Sequence, residues 1–189
     1  MRRIAVISGF LGILLFLVPA RADDIEVRDV ALYGAEEGLA LDADFAFDLT
    51  PALVDVVANG VPLYFRVEFD LTRRRWYWFD DTAASRSIHL RLSYHALSRQ
   101  YRLSTGALQQ SFPTLEEALN VLKRVRNWLV VDRVARLAAG ADYEAAVRMR
   151  LDTTLLPKPF QLSALMRRDL HLESSWKRFT VRASEVPKR

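Results

Sequence analysis

The chain has 189 residues, a net charge of +4 from 27 basic and 23 acidic side chains, and no cysteine. Without cysteine there is no disulfide, no thiolate metal site, no thiol nucleophile and no thiol redox exchange. The positive balance does not point to nucleic acid: Arg2, Arg3 and Arg21 lie in a segment expected to be removed, which leaves 24 basic against 23 acidic residues, a net +1. Binding by counterion release needs a concentrated basic patch instead.

That segment opens the chain. Arg2 and Arg3 precede an apolar run from Ile4 to Val18, and Ala20-Arg21-Ala22 gives the small-x-small pattern of a secretory cleavage site. The spacing predicts a signal peptide over residues 1–22, cut after Ala22, and a single β-rich domain over 23–189 outside the cytoplasm. The run is shorter than the about 20 apolar residues of a membrane-spanning helix, and the arginine pair lacks the longer surroundings of a twin-arginine signal. Retention of the uncut leader as an anchor is the alternative. A chain of 167 residues after cleavage is long enough to build one core without disulfides.

A strand is expected at Ile25 to Leu32. Leu39, Leu41, Ala43, Phe45, Phe47 and Leu49 then alternate with Ala40, Asp42, Asp44, Ala46 and Asp48, the period of a strand with one buried face. Thr50-Pro51 reads as an N-cap with proline at the first helical position, and Asn59-Gly60 as a stop, so a short helix is expected from Pro51 to Asn59. Leu63, Phe65, Val67, Phe69 and Leu71 alternate with Tyr64, Arg66, Glu68 and Asp70 in a second strand.

Further on, strands are expected at Ile88 to His95 and in a hairpin turned by Thr105-Gly106, with arms Gln100 to Leu103 and Ala107 to Phe112. Thr114 and Glu117 form a capping-box pair. Leu115, Ala118, Leu119, Leu122 and Val125 follow at helical spacing, with Lys123, Arg124 and Arg126 near the expected helix end. Between Leu129 and Gly140 helix and loop are both open. Tyr143, Ala145, Val147, Met149 and Leu151 alternate with Glu144, Arg148, Arg150 and Asp152 in a third firm strand, and Trp176 to Val181 is expected to close the sheet. The fold class expected is mainly β (α+β): an antiparallel, sandwich-like sheet carrying one amphipathic helix and a short connecting helix.

Residues Arg73 to Asp81 read R-R-R-W-Y-W-F-D-D. If the register of the preceding strand ran on, Arg73 and Arg75 would be buried and Trp76 and Trp78 would face water. Unpaired buried charge costs roughly 3 to 5 kcal/mol, so a bulge or strand end is expected between Leu71 and Trp76, turning the tryptophans inward. The competing reading leaves them exposed: Arg73, Arg74, Arg75, Trp76, Tyr77 and Trp78 then form a partner-binding surface of the residue types that dominate interface energetics. Aromatic and basic side chains also suit a membrane surface, although no amphipathic helix accompanies them.

Catalytic and metal-binding patterns are sparse. His89 and His95 lie about 20 Å apart on one strand at 3.3 Å per residue, too far to share a metal, and His171 with Glu173 supplies only two ligands. Asp42 and Asp44 lack the loop spacing of a calcium site; with Asp48 they are expected to pair with Arg148 and Arg150 if their strands are neighbours. No nucleophile elbow, Gly-rich phosphate loop or H-E-x-x-H occurs. No catalytic, cofactor-binding or metal-binding residue is therefore assigned. An enzyme of envelope glycans would need carboxylates from distant segments to face each other across roughly 5 to 9.5 Å.

Trp76-Tyr77-Trp78-Phe79-Asp80, Leu92-Ser93-Tyr94-His95-Ala96-Leu97, Gln100-Tyr101-Arg102-Leu103, Gln110-Ser111-Phe112, Leu115-Glu116-Glu117-Ala118-Leu119, Arg148-Met149-Arg150-Leu151-Asp152 and Leu156-Pro157-Lys158-Pro159 together resemble a bacterial exported family, domain of unknown function 4390. The resemblance runs through Trp176. It implies a Gram-negative periplasm and a link to a membrane sensor kinase, and brings no activity to carry over. The function expected is an envelope binding or interaction module with a protein partner in the envelope or membrane, possessing no nucleic-acid role; a glycan-acting enzyme and a purely structural envelope component are the alternatives.

Overall fold

The structure, a computed structural model, describes residues 25–36, 38–73, 81–132, 137–138 and 140–182, with the backbone alone at 165. Two antiparallel sheets carry the architecture. The smaller has the order β1 (Glu26–Ala35), β2 (Gly38–Ala46), β7 (Arg124–Asp132). The larger has the order β6 (Leu108–Phe112), β5 (Gln100–Thr105), β4 (Asp81–His95), β3 (Leu63–Arg73), β8 (Asp142–Leu151), β9 (Lys177–Arg182). Helices α1 (Pro51–Ala58), α2 (Leu115–Leu122) and α3 (Lys158–Met166) lie between strands in the chain.

Alternation along β3 and β8 sets the two faces of the larger sheet. Leu63, Phe65, Val67, Phe69 and Leu71 are fully buried, as are Ala145, Val147 and Met149, while the even-numbered residues between them are half-buried. Their inward side chains share one core with Leu39, Leu41, Ala43 and Phe45 of β2. Phe47 stacks on Phe65 with ring centroids 5.4 Å apart, and Phe69 meets Trp128 of β7 edge-on at 6.5 Å. These contacts across the gap make the two sheets a sandwich, because each apolar face is covered by the other.

Both helix starts are built as their sequences predict. The Thr50 hydroxyl accepts from the Leu53 N–H and donates to the Asp169 carbonyl, tying α1 to the 3-10 turn at Arg168–Leu170. Thr114 accepts from the Glu117 N–H, and Ala118, Leu119 and Leu122 are the buried face of α2. The expected extension of α2 through Arg126 is wrong: the helix stops at Leu122 with Lys123 as its cap, and β7 starts at Arg124. Asn127 there has φ 50°, a left-handed conformation asparagine tolerates, and its N–H is taken by the Asp42 carboxylate at 2.8 Å.

Leu129 to Asp132, undecided between helix and loop from sequence, is strand. Helix α3 was not expected at all. It begins with Pro159 in its first turn, where a missing N–H costs nothing. Among the described residues no helix is long and apolar enough to cross a membrane.

Candidate functional site

The aromatic and basic stretch singled out from sequence leaves the end of β3. Arg73 is half-buried and pairs with Asp81 at the head of β4; Arg74, Arg75, Trp76, Tyr77 and Trp78 lie outside the described residues. The register irregularity expected after Leu71 is present, but the extra residue is on the partner strand: Leu71 pairs with Ala84 and Thr72 with Thr82, which leaves Ala83 of β4 unmatched. From Asp81 to His89, β4 has β3 on one side and, among the described residues, no paired strand on the other, since β5 pairs only from Leu90. Thr82, Ala83, Ser85 and Ser87 along this edge are small and exposed.

The polar face of the larger sheet collects the charge. Register places Arg91 beside Tyr64, then His89, Arg66 and Arg150 in one row across β4, β3 and β8, then Ser87, Glu68 and Arg148 in the next. Glu68 lies 3.1 Å from Arg66 Nε, 2.6 Å from Arg148 Nε and 3.3 Å from Arg150 Nε, with 14% of its side chain exposed. Burial pushes its carboxyl upward, but hydrogen bonds and charge from Arg148 and Arg150 outweigh this and hold it below the ordinary carboxylate value.

Asp152 is the second acid of the patch. Its carboxylate accepts from the Thr154 hydroxyl and N–H and lies 3.7 Å from His89 Nε2. Burial again acts upward, and the Thr154 hydrogen bonds, with the charges of Arg150 and His89, bring the net shift downward. The Arg148 guanidinium stands 4.5 Å from the centre of the Trp176 ring, and that of Arg91 6.0 Å from the centre of Tyr64. Arg91 and Arg102 have no carboxylate partner among the described residues, and Arg102 Nε is buried without a hydrogen bond. Sequence reasoning took Arg148 and Arg150 as outward strand positions paired with the aspartates of β2; they form a cluster with Arg66 and Glu68 only once β3 and β8 are neighbours.

The expected pairing of Asp42, Asp44 and Asp48 with Arg148 and Arg150 does not occur. β2 and β8 belong to different sheets, so Asp42 accepts from Tyr33 and Asn127, Asp44 pairs with Arg126 and Asp48 with Lys123. Asp44 and Asp48 line a cleft of about 490 Å³ with Arg28, Asp29, Asn120 and Arg124. Asp29 and Asp44 are direct register partners on its wall, but Arg126 occupies the Asp44 carboxylate. His171 is turned to the Ala164 carbonyl at 2.6 Å, and no group of three or more His, Asp or Glu suited to a metal ion is found among the described residues.

Comparison with known proteins gives one match. The sequence model of a family described as a domain of unknown function, DUF4390, matches residues 22–180. No curated protein and no solved structure matches the chain.

Proposed function

The chain belongs to the family of domain of unknown function 4390, and from that premise we propose that it is an exported binding module of the cell envelope, an accessory to a membrane sensor kinase, that takes an extended segment of a protein partner along the outer edge of β4. The observation that carries this reading is the run from Thr82 to His89, which pairs with β3 on one side and with no described strand on the other. A strand edge presents alternating N–H and C=O groups that an incoming segment can pair, and folds normally blunt such edges with lysine, proline or cover. Here the side chains are small, and the single arginine, Arg86, is held by Asp132 of β7.

The same run follows directly on Arg73 to Trp78, whose arginines and aromatics supply the anchor types that give an interface its energy. The signal-peptide pattern over residues 1–22 supports export. Photo-crosslinkers at positions 74, 77 and 85 test the reading in intact cells. Capture of one and the same envelope protein from positions 74 and 77 and from position 85 is expected. Capture of none from all three positions overturns it.

A further inference from the structure

Three guanidiniums converge on one carboxylate in the middle of the polar face. Arg66 and Glu68 alternate on β3, Arg150 and Arg148 stand directly opposite them on β8, and all three arginines approach Glu68 through Nε. The group holds three positive charges against one negative. A guanidinium carries five N–H donors in a fixed fork, four of them on its terminal nitrogens. Arg148 and Arg150 bond Glu68 through Nε, Arg66 Nε lies 3.1 Å from it without a hydrogen bond, and the terminal nitrogens of the three show no hydrogen bond to a described residue.

The surroundings hold the forks in place. Side-chain exposures of 33% for Arg66, 29% for Arg148 and 28% for Arg150 leave them reachable yet partly withdrawn from water, where charge interactions are stronger than in bulk solvent. Trp176 restricts Arg148 by lying beside it, Asp152 is engaged by Thr154 and also feels the charge of Arg150, and Glu173 is the bridge partner of Arg150 on the far side of β8. Arg66 and Arg150 are opposite each other as like charges, an arrangement that destabilises a strand pair.

We propose that Arg66, Arg148 and Arg150 form a binding site for a phosphate group. The tetrahedral oxygens of a phosphomonoester match several guanidinium forks at once, whereas a lone carboxylate saturates one. The phosphate would take terminal N–H groups that Glu68 leaves unused. The site lies on the face of the sheet and not on the β4 edge, so it stands whether or not that edge takes a partner. A lipid headgroup and a soluble phosphomonoester present the same chemistry.

The test uses the protein as purified from producing cells. Arginine Nε–Hε resonances are followed while inorganic phosphate and glycerol 3-phosphate are titrated against chloride at constant ionic strength. Saturable shifts at Arg66, Arg148 and Arg150 are expected, with affinity at least about tenfold weaker in Arg66→Gln and Arg150→Gln. Arg150→Lys, which keeps the charge and loses the fork, is expected to bind nearly as weakly; Arg102→Gln, on the same face, is expected to bind like wild type. Unchanged melting curves of Arg150→Lys and Arg102→Gln guard against misfolding. Absence of saturable shifts, unaltered affinity in both glutamine variants, or equal weakening in Arg102→Gln overturns the proposal. Sedimentation with phosphatidylcholine vesicles containing phosphatidic acid then separates the sources: binding lost in Arg66→Gln assigns a lipid headgroup, and phosphate binding without vesicle binding assigns a soluble ligand.

Discussion

Arg66 and Arg150 stand directly opposite each other on neighbouring antiparallel strands, and Glu68 is the carboxylate that both reach. Two facing cations would separate β3 from β8 at the centre of the larger sheet. One acid, two residues along β3 from Arg66, draws them and Arg148 into a single network.

Replacing that acid should therefore be costly. Glu68→Gln leaves three arginines without their counter-charge and is expected to destabilise the fold by roughly 2 to 3 kcal/mol at neutral pH, measured by urea unfolding. Equal midpoints for variant and wild type would remove the network from any account of stability.

The same carboxyl gives stability a pH dependence of definite sign. Glu68 and Asp152 are both held below the ordinary carboxylate value in the folded chain, so the unfolded chain takes up protons first as pH falls. Their contribution is complete above the ordinary carboxylate range, about pH 4 to 5, and is lost as pH drops through their lowered values. Urea midpoints should fall below about pH 4, and the gap between wild type and Glu68→Gln should close there.

Phe65 is fully buried and stacked on Phe47. Phe65→Ala is expected to cost about 3 to 5 kcal/mol through lost burial and the cavity left behind. A loss below about 1 kcal/mol in denaturant titrations would mean that the two sheets do not meet at this ring.

Asp44 and Arg126 join β2 to β7 across an exposed surface. A double-mutant cycle on this pair should give a coupling of about 0.2 to 1 kcal/mol, while the cycle of Asp44 with Arg148 should give none. Coupling in the second pair would place β2 beside β8 and contradict the sheet order.

The two threonine caps should differ. Thr114 accepts one N–H, and its alanine variant should lose about 1 kcal/mol. Thr50 both caps α1 and donates to Asp169, so Thr50→Ala should lose more, read as a lower melting temperature than that of Thr114→Ala.

How much of this was legible from sequence follows from where each signal resides. The alternation of Leu63 to Leu71 and of Tyr143 to Leu151 reports burial of one strand face, and it located β3 and β8 because side chains of a strand must point to opposite sides. β7 escaped because Val125 continues the helical spacing of α2, and because register shifts opposite Ala40 and Ala43 break its alternation, leaving Val130 and Val131 both buried. α3 escaped because Pro157 and Pro159 read as breakers when only their neighbours are known.

The candidate site divides in the same manner. Sequence drew attention to Arg73 to Trp78 because cations and aromatics are contiguous there, and contiguity is visible along a chain. Arg66 and Glu68 lie about 80 residues before Arg148 and Arg150, and all four look like ordinary polar positions until pairing brings them together.

By itself the sequence determined which side chains turn inward, where α1 and α2 begin, and that no thiol chemistry takes place, since these depend on neighbours a few residues apart or on composition. Tertiary structure alone decided which strands adjoin. Pairing energy depends on backbone groups that are alike in every strand, so local pattern selects faces but not partners; the partners put three arginines around Glu68 and, among the described residues, left one side of β4 without a paired strand from Thr82 to His89.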